Sequence, residues 1–79
     1  MKYKLVVVDW VDAAFEPGWK HSREARPTWS TCKTTGYLVV KNKQKIAIAM
    51  NVNDDGGYGE TMVIPRSTVR KITVLTKVK

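Results

Sequence analysis

The residue types best suited to chemistry lie in one segment, residues 16–29, whose sequence is EPGWKHSREARPTW. This segment combines aromatic and basic side chains: Trp19, Lys20, His21, Arg23, Arg26 and Trp29. Exposed aromatic rings can stack on nucleic-acid bases, at about 1–3 kcal/mol per base, while neighbouring cations contact the phosphates. The same tryptophans can instead fold inward as a core for the loop itself, since large aromatics are usually highly buried. The segment is therefore predicted to be a loop first and the best candidate site second.

Nucleophilic catalysis has little support in the sequence. A nucleophile needs a base within hydrogen-bond reach and usually a third group that orients the base. His21 and Cys32 could form such a pair, with Asp12 or Glu24 as the orienting group, but their spacing matches no signature. A single free cysteine is more often a packing residue. The chain is therefore predicted not to be an enzyme.

The carboxylates and glycines do not form a recognisable ligand site. Asp9 and Asp12 have opposite strand parity, and Asp54 and Asp55 belong to NDDGG, which is typical of a tight turn. Two carboxylates and an asparagine supply too few oxygen ligands for a calcium-type metal ion, and DDGGYG lacks the helix of a phosphate-binding motif. With one cysteine and one histidine, the chain can build neither an internal disulfide nor a zinc cluster. We expect no metal and no cofactor.

The charge of the chain favours an anionic partner. Its 14 Lys and Arg residues against 7 Asp and Glu residues give a net charge of +7. Such a charge favours encounter with nucleic acid, an acidic protein or a phosphorylated small molecule. The segment KNKQK adds a second basic cluster. After Glu60 all charged residues are basic: Arg66, Arg70, Lys71, Lys77 and Lys79. Charge patterns of this kind are also typical of a solvated surface, so they do not choose among anionic partners.

The rest of the chain has the patterns of strands and turns. The run KYKLVVVDWV predicts a long first strand whose LVVV centre is buried on both faces. Two strands follow at KTTGYLVVK and IAIAMNV as a hairpin around NKQK, and alternation puts Ile46, Ile48 and Met50 on one face. NDDGG predicts a second hairpin into ETMVIP. PRST predicts one helical turn before the last strand, VRKITVL, whose apolar residues alternate imperfectly.

These elements predict an all-β fold class, a small five-stranded SH3-like or Sm-like barrel with a long loop after strand 1 and a single helical turn before the last strand. The main alternative is an OB-type barrel, which usually carries a helix between its third and fourth strands, where this chain has only NDDGG. We expect one domain, residues 1–79. A chain of this length buries only roughly 60% of its unfolded surface, so a compact barrel or an oligomer is expected.

The residues that frame the strands resemble those of a known group of small proteins. These elements are VVVDWVDA, PGW, C-x3-GYLV, DDGG and VIPRSTVRKITVL. With a Trp-containing first strand and an Ile-Pro segment before the last strand, the chain resembles small uncharacterised β-barrel proteins encoded by bacteriophages and prophages. The resemblance covers most of the chain and implies a phage protein, in a setting where small barrels bind nucleic acid, host proteins or defence-signalling nucleotides. It assigns no site residues.

The sequence therefore predicts a non-enzymatic binding module with an anionic partner, most of all nucleic acid. The alternative is a protein-interaction or host-defence-antagonist module that binds a host protein or sequesters a nucleotide signal. The candidate site residues are Trp19, Lys20, His21, Arg23, Arg26, Trp29, Tyr58, Arg66 and Arg70. Apolar runs such as residues 5–8 are far below the ~20 residues of a membrane helix, and no signal peptide is recognisable. We expect a cytoplasmic protein without membrane contact, which can pair into a homo-oligomer through its edge strands.

Overall fold

The structure, a computed structural model, describes residues 3–13, 18–19 and 29–75. As the sequence predicts, these residues are all-β, and a single 3-10 turn precedes the last strand. The elements are β1 (Lys4–Asp12), β2 (Ser30–Lys41), β3 (Lys45–Val52), β4 (Tyr58–Pro65), the 3-10 turn (Arg66–Thr68) and β5 (Val69–Val74). The long connection predicted after strand 1 spans residues 13–29, most of which lie outside the described residues.

The five strands form one antiparallel sheet in the order β4-β3-β2-β1-β5. β1 pairs along its whole length with residues 30–38 of β2, and its other edge pairs with β5. β2 extends beyond β1, and its residues 37–41 pair with β3. No ladder joins β4 to β5 in the described part of the chain, so the strands form an open sheet. None of these elements is a helix that is long and apolar enough to cross a membrane.

Asparagine side chains organise both predicted hairpins. In the β2–β3 turn, Asn42 Oδ1 accepts hydrogen bonds from the backbone N–H groups of Gln44 and Lys45, each at 2.9 Å. In the β3–β4 turn, Asn53 Oδ1 accepts a 2.7 Å hydrogen bond from the N–H of Gly57. Gly56 has a φ of 94°, a conformation that favours glycine. The turn chemistry of NKQK and NDDGG therefore explains where the chain reverses.

One small aliphatic core holds the sheet together. It consists of the buried side chains Val6, Val8, Ile46, Ile48 and Ile64. Partly buried side chains from β5 pack against this cluster, although β5 and β4 lie at opposite edges of the sheet. Both edges therefore reach the same core, which requires the sheet to curl. The core ends at Ile48, because Met50, predicted to share its face, is 72% exposed.

β2 passes close to β3 at Gly36. A Cβ atom built on Gly36 would lie 2.5 Å from Ile48 Cγ2 and 2.8 Å from the carbonyl oxygen of Ala49. Glycine in a strand often marks such a close approach between backbones. Gly36 is also paired with Val6 of β1, so the contact lies where β2 passes from one neighbour to the other.

Substituting Gly36 with alanine tests this constraint. We expect Gly36→Ala to lower the free energy of unfolding by about 1–3 kcal/mol, the usual cost of overpacking, since the Ala49 carbonyl must move. Gly59→Ala is the matched control, because nothing lies within 4 Å of a Cβ atom there. Urea denaturation of both variants measures the difference. Equal free energies of unfolding for the two variants would contradict the close approach.

Candidate functional site

The structure describes five of the nine predicted site residues: Trp19, Trp29, Tyr58, Arg66 and Arg70. The other four, Lys20, His21, Arg23 and Arg26, lie outside the described residues. Trp19 is fully exposed, and Trp29 is 67% exposed directly before the first residue of β2. Both described tryptophans of the loop therefore present an indole ring to solvent.

Trp29 lies at the end of a charged surface that three neighbouring strands share. Because side chains alternate along a strand, the inward Val8 and Trp10 leave Asp9 on the outer face of β1. The strand register pairs Asp9 with Lys33 of β2 on one side and with Lys71 of β5 on the other. Directly paired residues point to the same side of a sheet, so the carboxylate lies between two lysines. We call the surface of Trp29, Lys33, Asp9, Arg70 and Lys71 the Trp29 face.

A bulge in β5 adds Arg70 to this face. Asp9 pairs with Lys71, but the next residue, Trp10, pairs with Val69, so Arg70 has no partner of its own in the ladder. Such bulges re-aim side chains next to binding sites. The Arg70 guanidinium donates a 3.2 Å hydrogen bond to the carbonyl of Ser67 in the 3-10 turn. A depression of about 450 Å³ lies here, lined by Asp9, Trp10, Val11, Thr31, Cys32, Lys33 and Arg70.

Asp9 and Lys33 form an ion pair across the two strands. The Lys33 side chain is 73% exposed and the Asp9 side chain 29%, so the pair lies at the protein surface with its lysine open to solvent. Exposed pairs of this kind contribute at most about 1 kcal/mol to stability. The pair therefore restrains the Lys33 ammonium on the face without removing it from contact with a ligand.

Trp10 packs into the fold, whereas the Trp29 ring is exposed to solvent. The Trp10 ring is half-buried and packs against the aliphatic core. Its indole Nε1–H donates a 2.9 Å hydrogen bond to Thr34 Oγ1 on β2. Both the apolar body and the polar group of this ring are therefore satisfied within the protein, and Trp10 forms part of the floor of the depression.

Tyr58 lies away from the Trp29 face. Its ring packs edge-on against Tyr3 with 5.9 Å between ring centroids, and the Tyr3 hydroxyl donates a 3.0 Å hydrogen bond to the carbonyl of Gly56. Tyr3 immediately precedes β1, whereas Ser30, next to Trp29, pairs with the last residue of β1. The two sites are separated by the length of this strand, roughly 26 Å at 3.3 Å per residue.

Arg66 lies on a third surface, where the β2–β3 turn meets the 3-10 turn. Four of the five described site residues therefore fall on three surfaces, and among these four only Trp29 and Arg70 share one. Lys33 and Asp9 were not predicted as site residues, and neither was Lys71. Only the strand register shows that these three residues share a surface, and the register depends on contacts between distant segments of the chain.

Comparison with protein-family models, with curated proteins and with solved structures finds no match to this chain. What the Trp29 face can do is therefore inferred from its own residues. It offers an exposed indole ring for stacking, ammonium and guanidinium groups for anions, and a single carboxylate. Anionic ligands with planar apolar groups match this combination.

Fluorescence quenching can separate the inward tryptophan from the exposed ones. The chain has three tryptophans, so a Trp19→Phe/Trp29→Phe variant retains only Trp10. We expect Trp10 emission to be blue-shifted and weakly quenched by iodide, because its ring packs on the core. The matched Trp10→Phe variant should emit at longer wavelength and be quenched strongly. Equal quenching of the two proteins would contradict the placement of these rings.

Proposed function

We propose that this protein is a non-enzymatic binding module for single-stranded nucleic acid and that the Trp29 face is its contact surface. The observation that carries the proposal is the exposed Trp29 ring directly before β2, the strand that carries Lys33, with Arg70 and Lys71 on β5 of the same sheet. Proteins that bind single strands combine aromatic stacking platforms with a basic surface that follows the backbone. The Trp29 face has both features on elements held by the core.

The charge distribution supports a polyanionic ligand. Lys33 and Lys71 flank β1, so their strands lie two sheet spacings apart, roughly 10 Å. Arg70 adds a planar guanidinium, which suits phosphate geometry. Asp9 opposes these cations, but its pairing with Lys33 leaves Arg70 and Lys71 without an acidic partner among the described residues. The net charge of +7 steers anions toward the whole molecule.

We propose that the face binds without catalysing a reaction. Cys32 lines the depression, yet the polar contact of its Sγ is the Ser30 carbonyl at 4.0 Å, which is an acceptor and not an activating base. His21, the other candidate for catalysis, lies outside the described residues. Binding needs only the exposed ring and the cations.

The wider setting is part of the same proposal. We infer that the curled sheet acts as a small SH3-like or Sm-like barrel, which is supported by the contact of both edge strands with one core. The resemblance of its framing residues to phage and prophage proteins supports a phage-encoded protein that works in the host cytoplasm.

A second candidate function, docking on a host protein as a defence antagonist, is supported by a different surface. Met50 is 72% exposed and Met62 47%, and alternation from the buried Ile48 and Ile64 puts both on one face of the β3–β4 hairpin. Exposed apolar side chains that lie close together mark interaction sites. Binding through this surface would survive moderate salt and would not depend on Trp29.

Tryptophan fluorescence titration with short single-stranded RNA and DNA tests the nucleic-acid proposal. In a Trp19→Phe background, we expect quenching of Trp29 and an affinity that falls with salt by about 0.7 log units per log unit for each phosphate contacted. Lys71→Gln should reduce this slope by about one contact. Trp29→Ala should weaken binding, measured by oligonucleotide anisotropy, by about 1–3 kcal/mol and leave the slope nearly unchanged.

Lys4→Gln is the matched control, since Lys4 is an exposed cation at the far end of β1 from Trp29. It should alter affinity less than Lys71→Gln. Asp9→Asn should strengthen binding, because it removes the one carboxylate of the face. An affinity that does not change with salt or with Trp29→Ala would overturn the proposal. It would favour binding through the β3–β4 hairpin instead.

A further inference from the structure

A second basic surface lies apart from the Trp29 face, where the β2–β3 turn meets the 3-10 turn. A depression of about 450 Å³ is lined here by Lys41, Asn42, Lys43 and Arg66. Three of these four side chains carry a positive charge. The Arg66 side chain is half-buried, whereas both lysines are exposed. We call this surface the basic corner.

The backbone of the basic corner is held by a set of hydrogen bonds. Within the turn, the Asn42 N–H donates to the Lys45 carbonyl at 3.0 Å, and Asn42 Oδ1 accepts from the N–H groups of Gln44 and Lys45. The Arg66 N–H donates to the Gln44 carbonyl at 2.9 Å and so joins the 3-10 turn to the hairpin. Residues distant in sequence are thereby fixed side by side. Such preorganisation lowers the ordering cost of binding.

Among the described residues, no carboxylate pairs with a cation of the basic corner. The ion pair that the described residues form joins Lys33 to Asp9, and it lies on the Trp29 face. Lys41, Lys43 and Arg66 therefore repel one another without a compensating carboxylate from this part of the chain. Like charges held close together destabilise a fold, and a bound anion relieves that repulsion.

We propose that the basic corner binds a phosphate group. Two ammonium groups and one guanidinium around one depression match an anion that has several oxygens and more than one negative charge. The guanidinium offers a fork of donors to two phosphate oxygens, while each lysine supplies a point charge. A single carboxylate has too little charge to neutralise all three cations. The phosphate can come from a free phosphorylated small molecule or from a nucleic-acid backbone.

This site is independent of the Trp29 face. The two surfaces have different lining residues and meet only at the 3-10 turn, where Ser67 accepts the Arg70 hydrogen bond and Arg66 begins the corner. The basic corner can therefore hold phosphate even if the Trp29 face binds no nucleic acid.

Amide NMR with inorganic phosphate and pyrophosphate as probes tests the basic corner. At constant ionic strength, we expect saturable shifts of the Lys43, Gln44 and Arg66 amide signals, with pyrophosphate binding the tighter. Arg66→Gln and Lys43→Gln should each raise the apparent dissociation constant roughly ten-fold, the effect of losing one charge-assisted hydrogen bond. Retained dispersion of the other amide signals shows that the variants fold.

Lys71→Gln is the matched control and should leave the phosphate shifts unchanged. A further titration with a short oligonucleotide lacking terminal phosphates identifies the source of the phosphate group. Shifts at the basic corner with this oligonucleotide indicate backbone phosphodiesters. Shifts with the inorganic probes alone indicate a free phosphorylated molecule. Shifts that follow ionic strength without saturating, or that persist in both variants, would overturn the proposal. Saturable phosphate shifts without oligonucleotide binding at Trp29 would support the corner and contradict the proposed function.

Discussion

The fold depends on the close approach of β2 and β3 at Gly36. Because Gly36 has no side chain there, β2 can lie close to β3 while the next two residues, Tyr37 and Leu38, pair with both β1 and β3. The aliphatic core is small and consists of Val6 and Val8 from β1, Ile46 and Ile48 from β3, and Ile64 from β4. A chain of 79 residues has little other apolar area to bury, so this contact supports the position of every strand.

The candidate site depends on the core through β1. The strand turns Val8 and Trp10 inward, and this alternation places Asp9 outward between its two cross-strand lysines. The Thr34 hydroxyl then binds the Trp10 indole and keeps that ring in the fold, while Trp29 remains exposed. Trp10 is therefore a structural tryptophan, whereas Trp29 is available to a ligand. The basic corner is built differently, because backbone hydrogen bonds between two turns hold it in place.

The strands and turns could be predicted from the sequence because their signals are local. NKQK and NDDGG carry their own turn chemistry, and PRST its 3-10 turn. The imperfect alternation in the last strand also has a physical cause, since Val69 and Ile72 both face the core across the bulge at Arg70. The register could not be predicted, because a shift of one residue would move every side chain to the other face. The lysines of the Trp29 face were missed for that reason.

Amide NMR with a short single-stranded oligonucleotide measures most directly whether the Trp29 face is the contact surface. We expect shifts concentrated in residues 9–11, 31–33 and 70–71, with a shifted Trp29 indole N–H signal. The Trp10 indole signal should change little, because its N–H stays bound to Thr34. Shifts confined to the β3–β4 hairpin around Met50 and Met62, or no shifts at all, would show that the Trp29 face is not the contact surface.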